Sequence, residues 1–336
     1  MIKDAIQKAV DGTDLSREEA AGAMRAIMSG ECTDAQIAGL IVALRMKGET
    51  VDEITAFADV MREKATPIHT PSGDVLDVVG TGGDVSHTFN ISTAAALVAA
   101  GAGCCVAKHG NRSVSSSSGS ADVLRELGVN IEADVQTVER CLAEVGIGFL
   151  FAPLLHGAMK HAIGPRREMG IRTVFNILGP LTNPARATRQ LLGVYDPALL
   201  EPIARALGNL GSVRSLVVHG GDGLDELTTT TASRVAELAD GEVRIYTIQP
   251  GMLGIPQARP EDLTVGSPAE SADVIRSVLG GEPGPPRDIV VLNAAAALVA
   301  GGKAEDLGQG IRLAAESIDG GAAASALERL VAVSNR

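Results

Sequence analysis

The sequence predicts an α/β protein in two parts, a small all-helical N-terminal domain over residues 1–65 and a larger α/β domain over 75–336, with a central, mostly parallel sheet flanked by helices. Three observations predict it. Capping boxes precede amphipathic runs in the first 65 residues, with no strand signal among them. A stretch bearing Pro67, Pro71 and Gly73 then interrupts the pattern at 66–74 and reads as a linker. Beyond it, short β-branched runs alternate with Ala- and Leu-rich helical stretches.

The helix starts are Ser16 with Glu19, Thr33 with Gln36 and Thr50 with Glu53. In each pair the first side chain accepts from the third helical amide while the second reaches back to the cap. Ile37, Leu40, Ile41 and Leu44 recur at i, i+3, i+4 and i+7, which puts one apolar stripe on a helix whose other face carries Arg45 and Lys47. Strands are expected at Val75–Val79, Gly103–Ala107, Ile147–Phe151, Leu191–Tyr195, Arg214–His219 and Val243–Ile248. Ser233–Ile248 reads as a hairpin, because Asp240-Gly241 suits a tight type I′ turn. The last 65 residues return to helix, and no internal repeat is apparent.

Lys plus Arg number 29 against 41 Asp plus Glu, a net charge of −12, which argues against an extended basic surface for nucleic acid. With 45% hydrophobic but only 2% aromatic residues, the core must be built from Ala, Val, Leu and Ile. The first twenty residues lack a continuous apolar region, so no secretory signal is visible and a cytoplasmic protein is expected. The uncharged run Val85–Ala107 has the roughly 20 residues that cross a bilayer. It carries Ser86, His87, Asn90, Ser92 and Thr93, however, so it reads as a buried loop and helix, with no membrane partner. Cys32, Cys104, Cys105 and Cys141 show no metal or redox spacing and read as buried thiols.

Four segments carry candidate chemistry. LDVVGTGGD, Leu76 to Asp84, followed by HTFNIST, has the order strand, glycine loop, hydroxyl-rich turn, helix. Gly80, Gly82 and Gly83 remove Cβ atoms so that backbone N–H groups can approach an anion, and Ser92 and Thr93 sit at a helix N-terminus. The pattern matches neither the mononucleotide P-loop nor the dinucleotide fingerprint. The second segment, Ala107 to Gly128, places Lys108, His109 and Arg112 with Asn111 and a serine run in another glycine loop, with Ser120 set to cap a helix beginning at Ala121. Two phosphate-type loops favour a ligand with two phosphate groups. The third, His219 to Thr230, adds the carboxylates Asp225 and Glu226, which suit a Mg²⁺ ion between them and a diphosphate or, standing alone, a solvated acidic turn. The fourth, His161 to Pro184, brings Arg166, Arg167 and Arg172 near the start of a Gly/Pro-rich loop, and spacing does not say which turns inward to a carboxylate. Of the six histidines only His109 lies in a glycine loop; the others read as packing or surface residues, with His156 a further candidate. No zinc-hydrolase, nucleophile-elbow or Cys/His pattern is present.

GTGGD at 80–84, NIST at 90–93, KHGNRSVSS at 108–116, GSADVLRELG at 119–128, IRTVFNILGPLTNP at 171–184 and GLDE at 223–226 together resemble the anthranilate phosphoribosyltransferase family of tryptophan biosynthesis. MKGET at 46–50 and VLNAAAALVAGGKAEDLGQGI at 291–311 extend the resemblance over essentially the whole chain. It implies the nucleoside phosphorylase and phosphoribosyltransferase type of fold, a homodimer contacting through the helical domains, and segments near 155–180 folding back onto that domain. The implied reaction converts anthranilate and 5-phosphoribosyl 1-diphosphate to N-(5-phosphoribosyl)anthranilate and diphosphate, with two Mg²⁺ ions per site.

Carried over by residue, the resemblance puts phosphoribosyl diphosphate on Gly80, Gly83, Asp84, Thr88, Asn90, Ile91, Ser92, Thr93, Lys108, His109, Gly110, Asn111, Arg112, Ser113, Val114, Ser115, Ser116 and Ser120. Anthranilate falls to Gly80, Asn111, Arg166 and His109, and the metal to Ser92, Asp225 and Glu226. No residue is assigned as acid, base or nucleophile. Ser117 stands where relatives commonly carry Lys or Arg, Gly157 where Pro is frequent, and Pro165 where Val usually precedes the arginine. A proline there fixes φ and biases its neighbour, so Arg167 competes with Arg166, which is preferred. Two alternatives remain at this level: a pyrimidine nucleoside phosphorylase-like enzyme, and a non-enzymatic nucleic-acid-binding relative. Whether a glutamine amidotransferase binds the chain is open.

Overall fold

The computed structural model describes residues 2–71, 73–83, 87–112 and 119–336. Four helices come first: α1 (Ile2–Val10), α2 (Arg17–Met28), α3 (Asp34–Lys47) and α4 (Val51–Lys64). All three expected capping boxes form, at Ser16, Thr33 and Thr50. Each satisfies amides that a helix start leaves without an intrahelical partner, a contribution of about 1 kcal/mol per cap. Ile37, Leu40, Ile41 and Leu44 are all buried, while Lys47 on the opposite face donates to Asp14 and to the fully buried Glu53.

The chain continues as β1 (Leu76–Gly80), α5 (Ile91–Gly101), β2 (Val106–Gly110), α6 (Ser120–Glu126), α7 (Val135–Glu144) and β3 (Ile147–Phe151). Next come α8 (Ala152–Leu155), α9 (Lys160–Met169), α10 (Val174–Leu178), β4 (Arg189–Gly193), α11 (Leu200–Asn209) and β5 (Arg214–Gly220). The hairpin β6 (Ser233–Ala239) and β7 (Glu242–Ile248) precedes α12 (Pro268–Leu279), α13 (Pro285–Ala300), α14 (Leu307–Asp319) and α15 (Ala322–Ser334). One seven-stranded sheet runs β3-β2-β1-β4-β5-β6-β7, parallel through β5 and antiparallel in the hairpin. Asp240 and Gly241 both take positive φ, 52° and 78°, as a type I′ turn requires.

Alternation along the strands divides the core between the two faces. Leu191, Leu216 and Val218 pack with α5 and α12–α15 on one side, whereas Leu192, Val194 and Val217 pack with α11, α9, α10 and α1–α4 on the other. Helix α5 is buried on every side, with Ile91 and each residue from Thr93 to Ala100 inside. Gly101 lets α14 and α15 close on it: a Cβ there would lie 2.6 Å from the Ala323 amide nitrogen. Among the described residues no helix is long and apolar enough to cross a membrane.

Several expectations are corrected. The second strand starts at Val106, not Gly103, because Gly103 (φ 89°) and Cys104 close the end of α5 by donating to Ala100 and Ala99. Lys108 and His109 therefore stand in β2 rather than in a loop. The fourth strand runs 189–193, two residues before its expected place, with Arg189–Gly193 in register beside both β1 and β5. Ser120 does not cap a helix at Ala121; α6 begins at Ser120 itself, Gly119 is the cap, and the Ser120 hydroxyl donates to the Asn111 carbonyl. Arg166 and Arg167 belong to helix α9, which contains Pro165, and only Arg172 lies in the following turn. All four thiols are free, but only Cys104 and Cys141 are buried; Cys32 in the α2–α3 turn and Cys105 at the start of β2 lie half-exposed at element ends.

Candidate functional site

In an open parallel sheet, ligands sit beyond the carboxyl ends of the strands where the strand order reverses. Here that point lies between β1, from which the chain proceeds outward through β2 and β3, and β4, from which it proceeds the other way. β1, β2, β4 and β5 all end on glycine: Gly80, Gly110, Gly193 and Gly220. A Cβ at Gly80 would overlap the Asp225 carboxylate, and one at Gly193 the Asp225 carbonyl. The missing side chains thus let the acidic turn after β5 lie across the ends of β1 and β4.

Gly221, Asp222 and Gly223 of that turn are exposed, but its Asp225 end is not solvated. Asp225 is buried and Oδ2 accepts from the Gly82 amide at 2.7 Å, so the carboxylate occupies the kind of position a phosphate oxygen takes in a glycine loop. Gly82 and Gly83 have φ of 66° and 84°, conformations that favour glycine. Beside them Asn90 caps α5, accepting from the Thr93 amide at 3.1 Å and from the Ser92 hydroxyl at 3.3 Å. Thr93 is fully buried, and its hydroxyl has no partner among the described residues. The Ile91 side chain lies in the core, leaving only its backbone toward the loop. Thr88 bridges to Thr264, which pins 87–89 against the segment before α12.

Lys108 joins the two glycine segments. Its buried Nζ donates to the Val78 carbonyl at 2.7 Å and to Ser92 Oγ at 3.2 Å. Burial pushes its pKa down, opposed by Asp77, Glu226 and Asp225. Asp77, inside β1, accepts from the His109 amide and from Asn183 Nδ2 at 2.7 Å, yet burial still holds its carboxyl up at about 6. His109 and His156 face each other at 3.1 Å between their Nε2 atoms, and burial lowers their pKa values to about 3 and about 4. The Gly179 carbonyl is also a partner of the His109 ring, so the neutral ring gives its proton there and accepts from His156.

The cations separate clearly. Arg166 is half-buried, 5.1 Å over the Phe175 ring, and burial lowers its pKa with no charged group offsetting the effect. Arg167 is exposed. Arg172 stacks 4.3 Å from the Tyr195 ring and donates to the Gly83 carbonyl. Arg112 turns outward to Glu132 and Phe151, and the exposed Asn111 accepts from the Arg112 amide. Gly110 lies against Ser120 and Phe149. Asp84, Ser113, Val114, Ser115, Ser116 and Ser117 lie outside the described residues.

Asp77 and Asn183 escape the sequence reading as site residues, where His156 is no more than a further candidate. A carboxylate inside a central parallel strand was the available signal for Asp77. Nothing in the spacing pairs His156 with His109, its partner 47 residues away.

Two family models match, "Glycosyl transferase family, helical bundle domain" over residues 3–65 and "Glycosyl transferase family, a/b domain" over 72–324. The anthranilate phosphoribosyltransferase of Moorella thermoacetica is 56% identical over 99% of this chain and 98% of its own length. The chain belongs to that family. Within the family, the Thermus thermophilus enzyme superposes with a TM-score of 0.94 at 48% identity, covering 99% of this chain and 100% of its own. The Saccharomyces cerevisiae enzyme, solved in complex with phosphoribosyl diphosphate (PRPP) and Mg, superposes at 0.90 with 28% identity over 99% of this chain and 98% of its own. Solved with 4-fluoroanthranilate, it gives 0.89 at 26% identity over the same shares.

Proposed function

We propose that this chain transfers the 5-phosphoribosyl group of PRPP to the amine of anthranilate, a step of L-tryptophan biosynthesis, in the cytoplasm and as a homodimer contacting through the helical domain of residues 1–65. The observation that carries it is the fully buried Lys108, held between the end of β1 and the start of α5 beside Asp225 and Glu226. Asp77, Glu226 and Asp225 oppose its desolvation, and its Nζ lies with Gly82, Gly83 and the α5 N-terminus, donors on which a diphosphate can be laid. The family relation provides the substrates, and the yeast complexes with PRPP and Mg and with 4-fluoroanthranilate agree with them.

The donor set of Asp225, Glu226 and Ser92 is all oxygen, and among the described residues no group of three His, Cys, Asp or Glu gathers. Such a set suits Mg²⁺, which keeps waters and substrate oxygens in its shell. We assign two ions per site to these residues; bound there, Mg²⁺ neutralises charge on the diphosphate.

The chain's own groups do the rest. Lys108 and the loop N–H groups stabilise negative charge building on the departing diphosphate while C1′ of the ribose becomes cation-like. Arg166, with no counter-charge among the described residues, holds the anthranilate carboxylate, and Asn111 and His109 line the approach of the amine to the opposite face. The amine is an uncharged nucleophile, so positioning counts for more than a base. The His109–His156 pair, held neutral by burial, adds no positive charge beside the developing cation.

The test follows anthranilate fluorescence on mixing protein, PRPP and Mg²⁺, with metal-free and PRPP-free controls. Loss of signal is expected only in the complete mixture. An unchanged signal in the complete mixture, or thymine released from thymidine by phosphate, refutes the assignment. Asp225→Asn with Glu226→Gln should abolish Mg²⁺-dependent turnover, and full retention would sink the metal assignment.

A further inference from the structure

The glycine loop has no side chains of its own with which to hold its shape. Gly82 and Gly83 both sit at positive φ, and an unanchored pair of glycines samples many other conformations. Among the described residues, besides the local Thr81 hydroxyl on the Gly82 carbonyl, two long-range contacts restrain them. The Gly82 amide rests on Asp225 Oδ2, whose carboxylate is also the assigned metal ligand. The Gly83 carbonyl is held by Arg172. Of this pair, only the Arg172 contact is independent of the assigned metal ligand.

Arg172 is suited to that task. Its guanidinium lies 4.3 Å from the Tyr195 ring centroid, a stacked geometry that orders a planar cation before it makes hydrogen bonds. Tyr195 is fixed in turn: its amide donates to Thr81 Oγ1 at 3.1 Å, and the Thr81 amide donates to the Gly193 carbonyl at 2.9 Å. The platform under Arg172 is therefore laced to the ends of β1 and β4. A Cβ at Gly83 would fall 2.9 Å from Arg172 Nη2, the movable end of that side chain, so the φ of 84° more than this contact favours glycine there. Arg172 also sits in the turn between α9, which carries Arg166, and α10, which carries Phe175. One side chain thus spans from the acceptor side of the site to its diphosphate side.

We propose that Arg172, stacked on Tyr195, is a positioning residue for PRPP: it holds the Gly83 carbonyl so that the glycine loop presents its N–H groups to the diphosphate, and it ties that loop to the turn bearing the anthranilate arginine. The proposal rests on the assignment of PRPP to the glycine loop. It predicts a split between binding and turnover, because at saturating PRPP the bound diphosphate itself holds the loop that Arg172 shapes, and Arg172 touches no reacting atom.

Calorimetric titration of PRPP with Mg²⁺, alongside steady-state kinetics and thermal melts, tests it. Arg172→Ala should weaken PRPP binding about ten-fold or more, leave kcat at saturating PRPP within about three-fold, and leave the melting midpoint unchanged. Arg172→Lys keeps the charge but loses the planar fork, and should behave like alanine. Tyr195→Phe should bind as wild type, Tyr195→Ala should match Arg172→Ala, and the double variant should be no worse than either single one. Wild-type binding by Arg172→Ala, full rescue by lysine, or losses that add in the double variant would each overturn the proposal while leaving the PRPP assignment intact. Failure of the unaltered protein to bind PRPP would overturn that assignment and the proposal together.

Discussion

Gly193→Ala tests the geometry of the acidic turn. The methyl group would fall at bonding distance from the Asp225 carbonyl oxygen and 3.2 Å from its Cα, so the obstruction is backbone and no side-chain rotation relieves it. Ordinary contact between such atoms is about 3.5 Å, so the carbonyl must retreat by about 2 Å. The Gly82 amide to Asp225 carboxylate bond, at 2.7 Å, does not survive a shift of that size. Overpacking of this kind costs about 1–3 kcal/mol of stability. A displaced Asp225 and Glu226 should raise the Mg²⁺ concentration for half-maximal turnover about ten-fold or more, equivalent to about 1.4 kcal/mol. The assay is the initial rate against Mg²⁺ at saturating PRPP, with a thermal melt in parallel and Gly157→Ala as control, since a Cβ at Gly157 meets nothing within 4 Å. Gly193→Ala with an unaltered Mg²⁺ dependence would refute both the close approach and the metal assignment.

Three further outcomes follow from the geometry. His109 and His156 have folded pKa values of about 3 and about 4, below the unfolded value, so their stability contribution is present above about pH 6.5 and is lost as pH falls. By linkage each costs about 2 kcal/mol at pH 5, whereas Asp77, raised to about 6, returns about 1 kcal/mol over the same interval. Melts should therefore show a net loss of about 2–3 kcal/mol between pH 7 and pH 5, and a His156→Gln variant with an equally steep profile would contradict the pairing. Gly164→Ala, in helix α9 directly before Pro165, sets helix propensity against the clash of its Cβ with the proline ring and should give no gain or a loss in denaturant unfolding; stabilisation by about 1 kcal/mol would argue against a helix through Pro165. Lys108→Met should cut kcat by about 10²–10³ with far-ultraviolet dichroism unchanged, and near-normal kcat would remove Lys108 from diphosphate stabilisation.

What could be read from sequence was local in range. The capping boxes act over three residues, the Asp240-Gly241 turn over two, and the strands announced themselves because a sheet buried on both faces selects β-branched runs. The glycine loop and the α5 start were legible for the same reason. Local signals also misled. Gly103–Ala107 resembles a strand because two buried-type cysteines continue its apolar character, but the turn that closes α5 takes Gly103 and Cys104. Lys108 and His109 looked like loop residues because buried strands seldom carry charge; β2 accommodates them through Val78, Ser92, Asp77 and His156. Those partners, like Asn183 on Asp77 from 106 residues away and Arg172 on Gly83 from 89, are brought together by topology, which leaves no trace in spacing. The choice between Arg166 and Arg167 needed the angular position of each on α9.

The burial of α5 bears on how the protein is made. The N-terminal end of this helix shapes the candidate anion site, yet its apolar flanks are covered by α13, α14 and α15, and the Gly101 contact with Ala323 joins segments on the order of 220 residues apart. At about 5–20 residues per second, a nascent chain carries α5 without its cover for on the order of 10–40 s. Throughout that interval a helix made almost wholly of Ala, Val, Leu and Ile is available to chaperones or to a neighbouring nascent chain. Premature termination before α13 would leave it so permanently, and such fragments should appear in inclusion bodies rather than as partly active enzyme.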